Sequence, residues 1–123
     1  MKAILLVFLG GGLGSALRFL ISKTFNSYFQ YFFLGTFLAN VIGCLLMGFF
    51  IGLSFKGNYL TNQQTLLLTT GVCGGFTTFS AFAFEKYELL NNGAFLHFLV
   101  YLLGSVLSGI LCIALGIWIA KIL

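Results

Sequence analysis

The sequence predicts an all-α integral membrane protein: one domain over residues 1–123 with four transmembrane helices, the third broken mid-membrane. Three observations carry this expectation. Hydrophobic residues make up 60% of the chain and charged residues 7%, too few polar groups to coat a soluble domain of this length. Long apolar runs follow one another with only short polar turns between them, the pattern of successive bilayer spans. Small residues recur at i, i+4 spacing, the device by which helices associate in lipid, where no hydrophobic force acts between them.

The first span covers about residues 3–22 and is interrupted only by Arg18. Met1-Lys2, an apolar stretch and Gly-Ser-Ala follow the order of a secretory signal peptide. Four glycines within residues 10–14 do not suit its apolar core, so this stretch is read as a span. Residues 32–55 carry no charge, and at ~1.5 Å per residue such a run crosses ~30 Å of hydrocarbon. The polar stretch Lys56 to Gln64 reads as an aqueous loop. A third span covers about 65–84 and runs into Glu85, Lys86 and Glu88; Glu85 marks where it meets water. Asn91-Asn92-Gly93 is a turn signal, and residues 95–120 form the fourth span, closed by Lys121.

The net charge of +4 is no nucleic-acid footprint, because the basic residues are scattered singly and form no stripe for phosphates. At span ends they read as headgroup anchors, which makes membrane lipid the expected surrounding. Cys44, Cys73 and Cys112 lie in apolar segments without CxxC spacing and read as packing residues. Four spans place both termini on one side, with Lys2, Lys56 and Lys121; Arg18, Lys23 and Lys86 fall on the other. Orientation follows Lys/Arg asymmetry, and here the counts balance. The chain is therefore expected to insert both ways up and to pair as an antiparallel homodimer, a two-chain inverted repeat. The small-residue rows (Gly10 and Gly14; Gly35, Ala39 and Gly43; Cys44, Gly48 and Gly52; Gly104, Ser108, Cys112, Gly116 and Ala120) exceed what one four-helix protomer needs.

The middle of the third span reads Thr69-Thr70-Gly71-Val72-Cys73-Gly74-Gly75-Phe76-Thr77-Thr78-Phe79-Ser80. Each helix-interior glycine costs about 1 kcal/mol relative to alanine, and the hydroxyls can satisfy backbone groups released by a break. Freed carbonyls suit a cation, and the start of the second half-helix suits an anion. Phe79 and Phe82, three residues apart, share one helical face; ring edges carry partial positive charge and can face a desolvated anion without trapping it. Asn40, with Thr36 one turn before it, is either an interhelical clasp or a donor on an anion path. Tyr101, Ser105 and Ser108 form a polar face open to the same two readings. Arg18 either snorkels to the interface or faces inward and attracts anions, and His97 reads as interfacial.

These residues match a family. Gly10-Gly11-x-x-Gly14-x-x-x-Arg18-Phe19, Gly35-Thr36-x-x-x-Asn40-x-x-Gly43 and Gly74-Gly75-Phe76-Thr77-Thr78-Phe79-Ser80-x-Phe82-x-x-Glu85 occur in order. The chain resembles the Fluc (CrcB) family of small bacterial fluoride channels over essentially its whole length. The resemblance implies a dual-topology antiparallel homodimer in the bacterial inner membrane with two fluoride pores. It implies that Phe79 and Phe82 flank the ion, that Asn40 donates to it, and that Thr36, Ser80, Tyr101 and Ser105 line polar stretches of the path. It further implies a structural Na+ held by the carbonyls of Gly74 and Thr77, and Arg18 in an aqueous vestibule. Ala81 and Ala83 depart from the family's frequent hydroxyl residues, and Gly109 offers no donor.

The runner-up is a small proton-coupled multidrug exporter, which needs a membrane-embedded carboxylate; the first, second and fourth spans contain no Asp or Glu. An enzyme is not expected, since one His and two span-end Glu residues make no acid–base pair or metal cluster. A structural membrane subunit would account for the glycine rows but not for the polar break.

Overall fold

In hydrocarbon every backbone N–H and C=O must find a partner within the protein, and a helix provides one inside each run. The computed structural model describes residues 1–123. Its elements are α1 (Lys2–Phe25), α2 (Leu34–Phe55), α3 (Asn62–Leu66), a π-helical turn (Leu67–Cys73), α4 (Gly74–Phe76), α5 (Ser80–Asn91) and α6 (Phe95–Ile122). Four stretches are long and apolar enough to cross a membrane: Lys2–Phe25, Leu34–Phe55, Asn62–Asn91 and Phe95–Ile122.

The third stretch is longer at both ends than residues 65–84. Its start is fixed by a capping box. The Gln64 amide donates to the Thr61 hydroxyl at 3.2 Å, and the Thr61 amide donates to the Gln64 side chain at 2.9 Å. The expected aqueous loop up to Gln64 therefore already contains the first residues of a helix. At the far end Gly93 adopts φ +72°. Its amide donates to the Leu90 carbonyl at 3.1 Å and the Ala94 amide to the Leu89 carbonyl at 2.9 Å, a left-handed helix closure that glycine allows without a Cβ clash.

Glycines decide which helices touch. On the α2–α6 seam, a Cβ at Gly48 would stand against the Ile113 carbonyl, and one at Gly116 against the Leu45 carbonyl and Phe49 amide. Between α1 and the third stretch, Gly14 faces the Val72 carbonyl and Phe76 amide, and Gly75 faces the Gly11 backbone. Gly104, at the head of the longest small-residue row, has nothing within 4 Å, so that row is split: Gly116 and Ala120 are buried in the seam and Gly104 lies open. Only 20 of 123 residues are buried, which leaves Phe8, Leu111, Trp118 and many other large apolar side chains facing outward. Such a wall needs lipid or another chain against it.

The π-helical turn over Leu67–Cys73 departs from the plain helix-and-break pattern that the sequence suggests. Wider turns of this kind appear mostly as short insertions inside α-helices, often beside functional sites. Here it carries Gly71 against the Gly10 backbone, and the Thr69 hydroxyl donates to the Thr65 carbonyl at 2.7 Å.

Candidate functional site

Beyond the π-helical turn the chain leaves helical geometry. Thr77 is extended, with φ −82° and ψ 158°, and helix resumes at Ser80. The released backbone groups of Thr78 are both taken by Asn40 of α2. Asn40 Nδ2 donates to the Thr78 carbonyl at 3.1 Å, and the Thr78 amide donates to Asn40 Oδ1 at 2.7 Å. The Ala81 amide donates to the Thr78 hydroxyl at 3.2 Å, and the Thr77 hydroxyl donates to the Cys73 carbonyl at 2.9 Å. The Thr78 hydroxyl thus replaces a helical partner for the Ala81 amide, whereas the Thr77 hydroxyl is a second donor to the Cys73 carbonyl, which also accepts from the Thr77 amide at 3.0 Å.

An open cleft of about 270 Å³ adjoins this interruption, lined by Asn40, Cys44, Thr77, Thr78, Phe79, Phe82, Ser105 and Val106. Its donors are incompletely used. An asparagine amide has two N–H groups, and Asn40 gives one to Thr78. Ser105 Oγ is buried without any hydrogen-bond partner, a costly state for a hydroxyl. Phe79 is 80% exposed whereas Phe82 is 8% exposed; their ring centroids are 6.3 Å apart.

A second polar group lies past Phe82, whose ring meets Tyr101 edge-on at 5.5 Å and 87°. Tyr101, Thr36 and Glu85 are all buried. The Tyr101 hydroxyl donates to Glu85 Oε1 at 2.8 Å and the Thr36 hydroxyl to Glu85 Oε2 at 2.5 Å. Asn26 clasps Thr36 in turn, accepting from its amide at 2.9 Å and donating to its hydroxyl at 3.2 Å. Glu85 therefore does not mark the edge of water as its place in the sequence suggested. It is the hub of a network joining α2, α5 and α6, with both carboxyl oxygens engaged.

Of the residues expected at the site, the structure gathers Asn40, Phe79, Phe82, Ser105 and Thr77 around one cleft. Thr36 and Tyr101 sit apart, around Glu85. Ser80 is exposed, its hydroxyl 3.3 Å from that of Thr78. Arg18 lies against the third stretch before its interruption, where its Nε donates to the Gly75 carbonyl at 3.2 Å beside the Ser15 hydroxyl. Gly74 is exposed. His97 is exposed at one end of α6, its ring 5.0 Å from that of Tyr31.

Two residues of consequence escape sequence reasoning. Glu85 was hidden by ending the third span at 84; an acidic residue inside a span is a functional candidate by default. Lys86, which the sequence places among the headgroup anchors, is instead 6% exposed, with Nζ 3.8 Å from the Phe82 ring centroid and 3.1 Å from that of Tyr101. Its signal was available: residues 79, 82 and 86 share a helical face.

Comparison with known proteins bears on the family. The family described as CrcB-like protein, Camphor Resistance (CrcB), matches residues 5–117. A protein of Phocaeicola vulgatus named fluoride-specific ion channel FluC is 47% identical, over 98% of this chain and 100% of its own length. Proteins of the same name from Flavobacterium psychrophilum and Gloeothece citriformis are each 44% identical over 98% of both chains. With most of its length matched and its third-stretch signature in place, this chain belongs to the family of CrcB-like proteins.

Proposed function

We propose that this chain is a fluoride-selective channel that lets fluoride leave the cell passively across the bacterial inner membrane, and that it is not an enzyme. The observation that carries the reading is the cleft at the interrupted third helix. There a spare amide N–H of Asn40, an unpartnered Ser105 hydroxyl and two phenyl rings converge. Fluoride is strongly hydrated, so a pore must replace its water as it enters and still release it. Neutral donors and ring edges do this; a bare ammonium in the cleft would hold the ion. Asn40 also braces the wall it belongs to, so its free N–H is held in place by the bonds its other atoms make to Thr78.

The reading includes a helix broken mid-membrane and an antiparallel homodimer with two pores. Support comes from the 80% exposure of Phe79, a pore residue that a second protomer would cover, and from the balanced basic residues. Thr36 and Tyr101 continue the polar track around Glu85, Ser80 lies beside Thr78, and Arg18 draws anions toward one mouth. The carbonyls of Gly74 and Thr77 fit a structural Na+: the donors are all oxygen, as hard cations require. The Thr78 amide, the normal helical donor to Gly74, is given to Asn40 instead. Sodium, when bound, supplies a fixed charge and a tie between protomers, and permeation falls to the side chains. The exporter alternative gains a buried carboxylate in Glu85. Both its oxygens are engaged by Thr36 and Tyr101, however, and the relatives at 44–47% identity carry a channel's name.

The test is efflux from liposomes loaded with potassium fluoride, read by a fluoride electrode after valinomycin, with chloride in parallel. Rapid fluoride release without chloride release is expected. A verified, assembled preparation that releases no fluoride would overturn the reading.

A further inference from the structure

We propose that Lys86 is a positioning residue for fluoride: a built-in cation that offsets the Glu85 carboxylate and raises the affinity of the path beside Phe82. The inference rests on the fluoride-channel reading and adds to it a group that sets how readily the ion enters this stretch.

A buried ammonium is expensive unless it is paired, and a leucine or methionine would fill the same space without that cost. Lys86 nevertheless lies inside the protomer at 6% exposure. Its Nζ rests over the faces of Phe82 and Tyr101 and donates to the Phe82 carbonyl at 3.4 Å. Both rings belong to the proposed path: Phe82 lines the cleft, and Tyr101 donates to Glu85. An anion moving past these groups approaches a carboxylate whose hydrogen bonds come only from neutral hydroxyls. A positive charge on the adjacent residue cancels the repulsion that this carboxylate would otherwise exert.

The ring contact adds a second effect. A cation over the face of an aromatic ring attracts its π electrons, so the rim of that ring becomes more positive. Phe82 therefore presents a stronger edge to an anion than a phenyl group alone. Arg18 does not duplicate this function: it is bonded to the Gly75 carbonyl, before the interruption at Thr77, and Lys86 lies after it.

The experiment compares wild-type protein with Lys86→Met, which removes the charge at similar volume, and Lys86→Arg, which keeps it. Fluoride efflux is measured over a range of fluoride concentrations, and assembly is checked by size-exclusion chromatography. Lys86→Met is expected to raise the half-saturating fluoride concentration about tenfold with a smaller change in maximal flux; Lys86→Arg is expected to stay close to wild type. If Lys86→Met does not assemble, Lys86→Gln, which keeps a donor for the Phe82 carbonyl, takes its place with the same expectation. An assembled charge-free variant with unchanged half-saturation overturns the inference, as does an arginine variant that fails as badly as the methionine one, which would mean packing alone. Wild-type protein that carries no fluoride would instead overturn the channel reading beneath it.

Discussion

Asn40→Asp is expected to abolish fluoride release while leaving an assembled protein. Aspartate still accepts the Thr78 amide, now bonded to Asn40 Oδ1 at 2.7 Å. Its second oxygen, however, replaces the donor to the Thr78 carbonyl and brings a negative charge to the wall of the cleft. On the proposed path, fluoride then loses an amide donor and meets a like charge, so flux should fall by at least ~100-fold, equivalent to about 2.7 kcal/mol on the barrier. Asn40→Leu should behave differently. It leaves both Thr78 backbone groups without their partner, each at a cost of about 1–3 kcal/mol, so stability should suffer along with flux. Efflux assays alongside thermal unfolding in detergent separate the two variants. Wild-type flux in an assembled Asn40→Asp protein would remove Asn40 from the path.

The largest loss of stability is expected from Gly116→Val. A Cβ there would press on the Leu45 carbonyl and Phe49 amide; these are backbone atoms that cannot rotate away as a side chain can. The α2–α6 seam would have to open, and in lipid that seam is held by close packing. Overpacking typically costs about 1–3 kcal/mol, and the added methyl groups of valine push toward the upper end. Gly104→Val on the same helix is the control, since nothing lies within 4 Å of its Cβ position. Unfolding temperature in detergent should drop markedly for the first and little for the second. Equal behaviour of the two would show that the seam is not a tight backbone contact.

The four spans could be read from the sequence because hydropathy over a long window is a local property, and the structure has helices in each of them. Asn40 and Ser105 stand out as polar residues in apolar runs, whereas Phe79 and Phe82, two of sixteen phenylalanines, are singled out only by their place after the polar break and by the family resemblance; the structure brings all four to one cleft. What could not be read was distance between spans. Nothing in the neighbourhood of Thr36 or Tyr101 announces that both donate to one carboxylate, since that meeting depends on how α2, α5 and α6 lean together. Glu85 and Lys86 escape the sequence for a simpler reason: two adjacent charged residues lower local hydropathy and so look like the end of a span, even when, as here, both are buried. The start of α3 was readable and overlooked, because Thr61-x-x-Gln64 is itself a capping signal.

The π-helical turn over Leu67–Cys73 has a consequence for how this chain can change over time. In an α-helix each residue advances the chain by about 100° and 1.5 Å, and a π-helical turn absorbs a residue that an α-helix of the same length would not hold. Removing that residue would rotate everything downstream relative to α1 and carry Phe79 and Phe82 off the cleft. The stretch is therefore held in length as firmly as Gly71 and Gly75 are held in side chain by the α1 backbone.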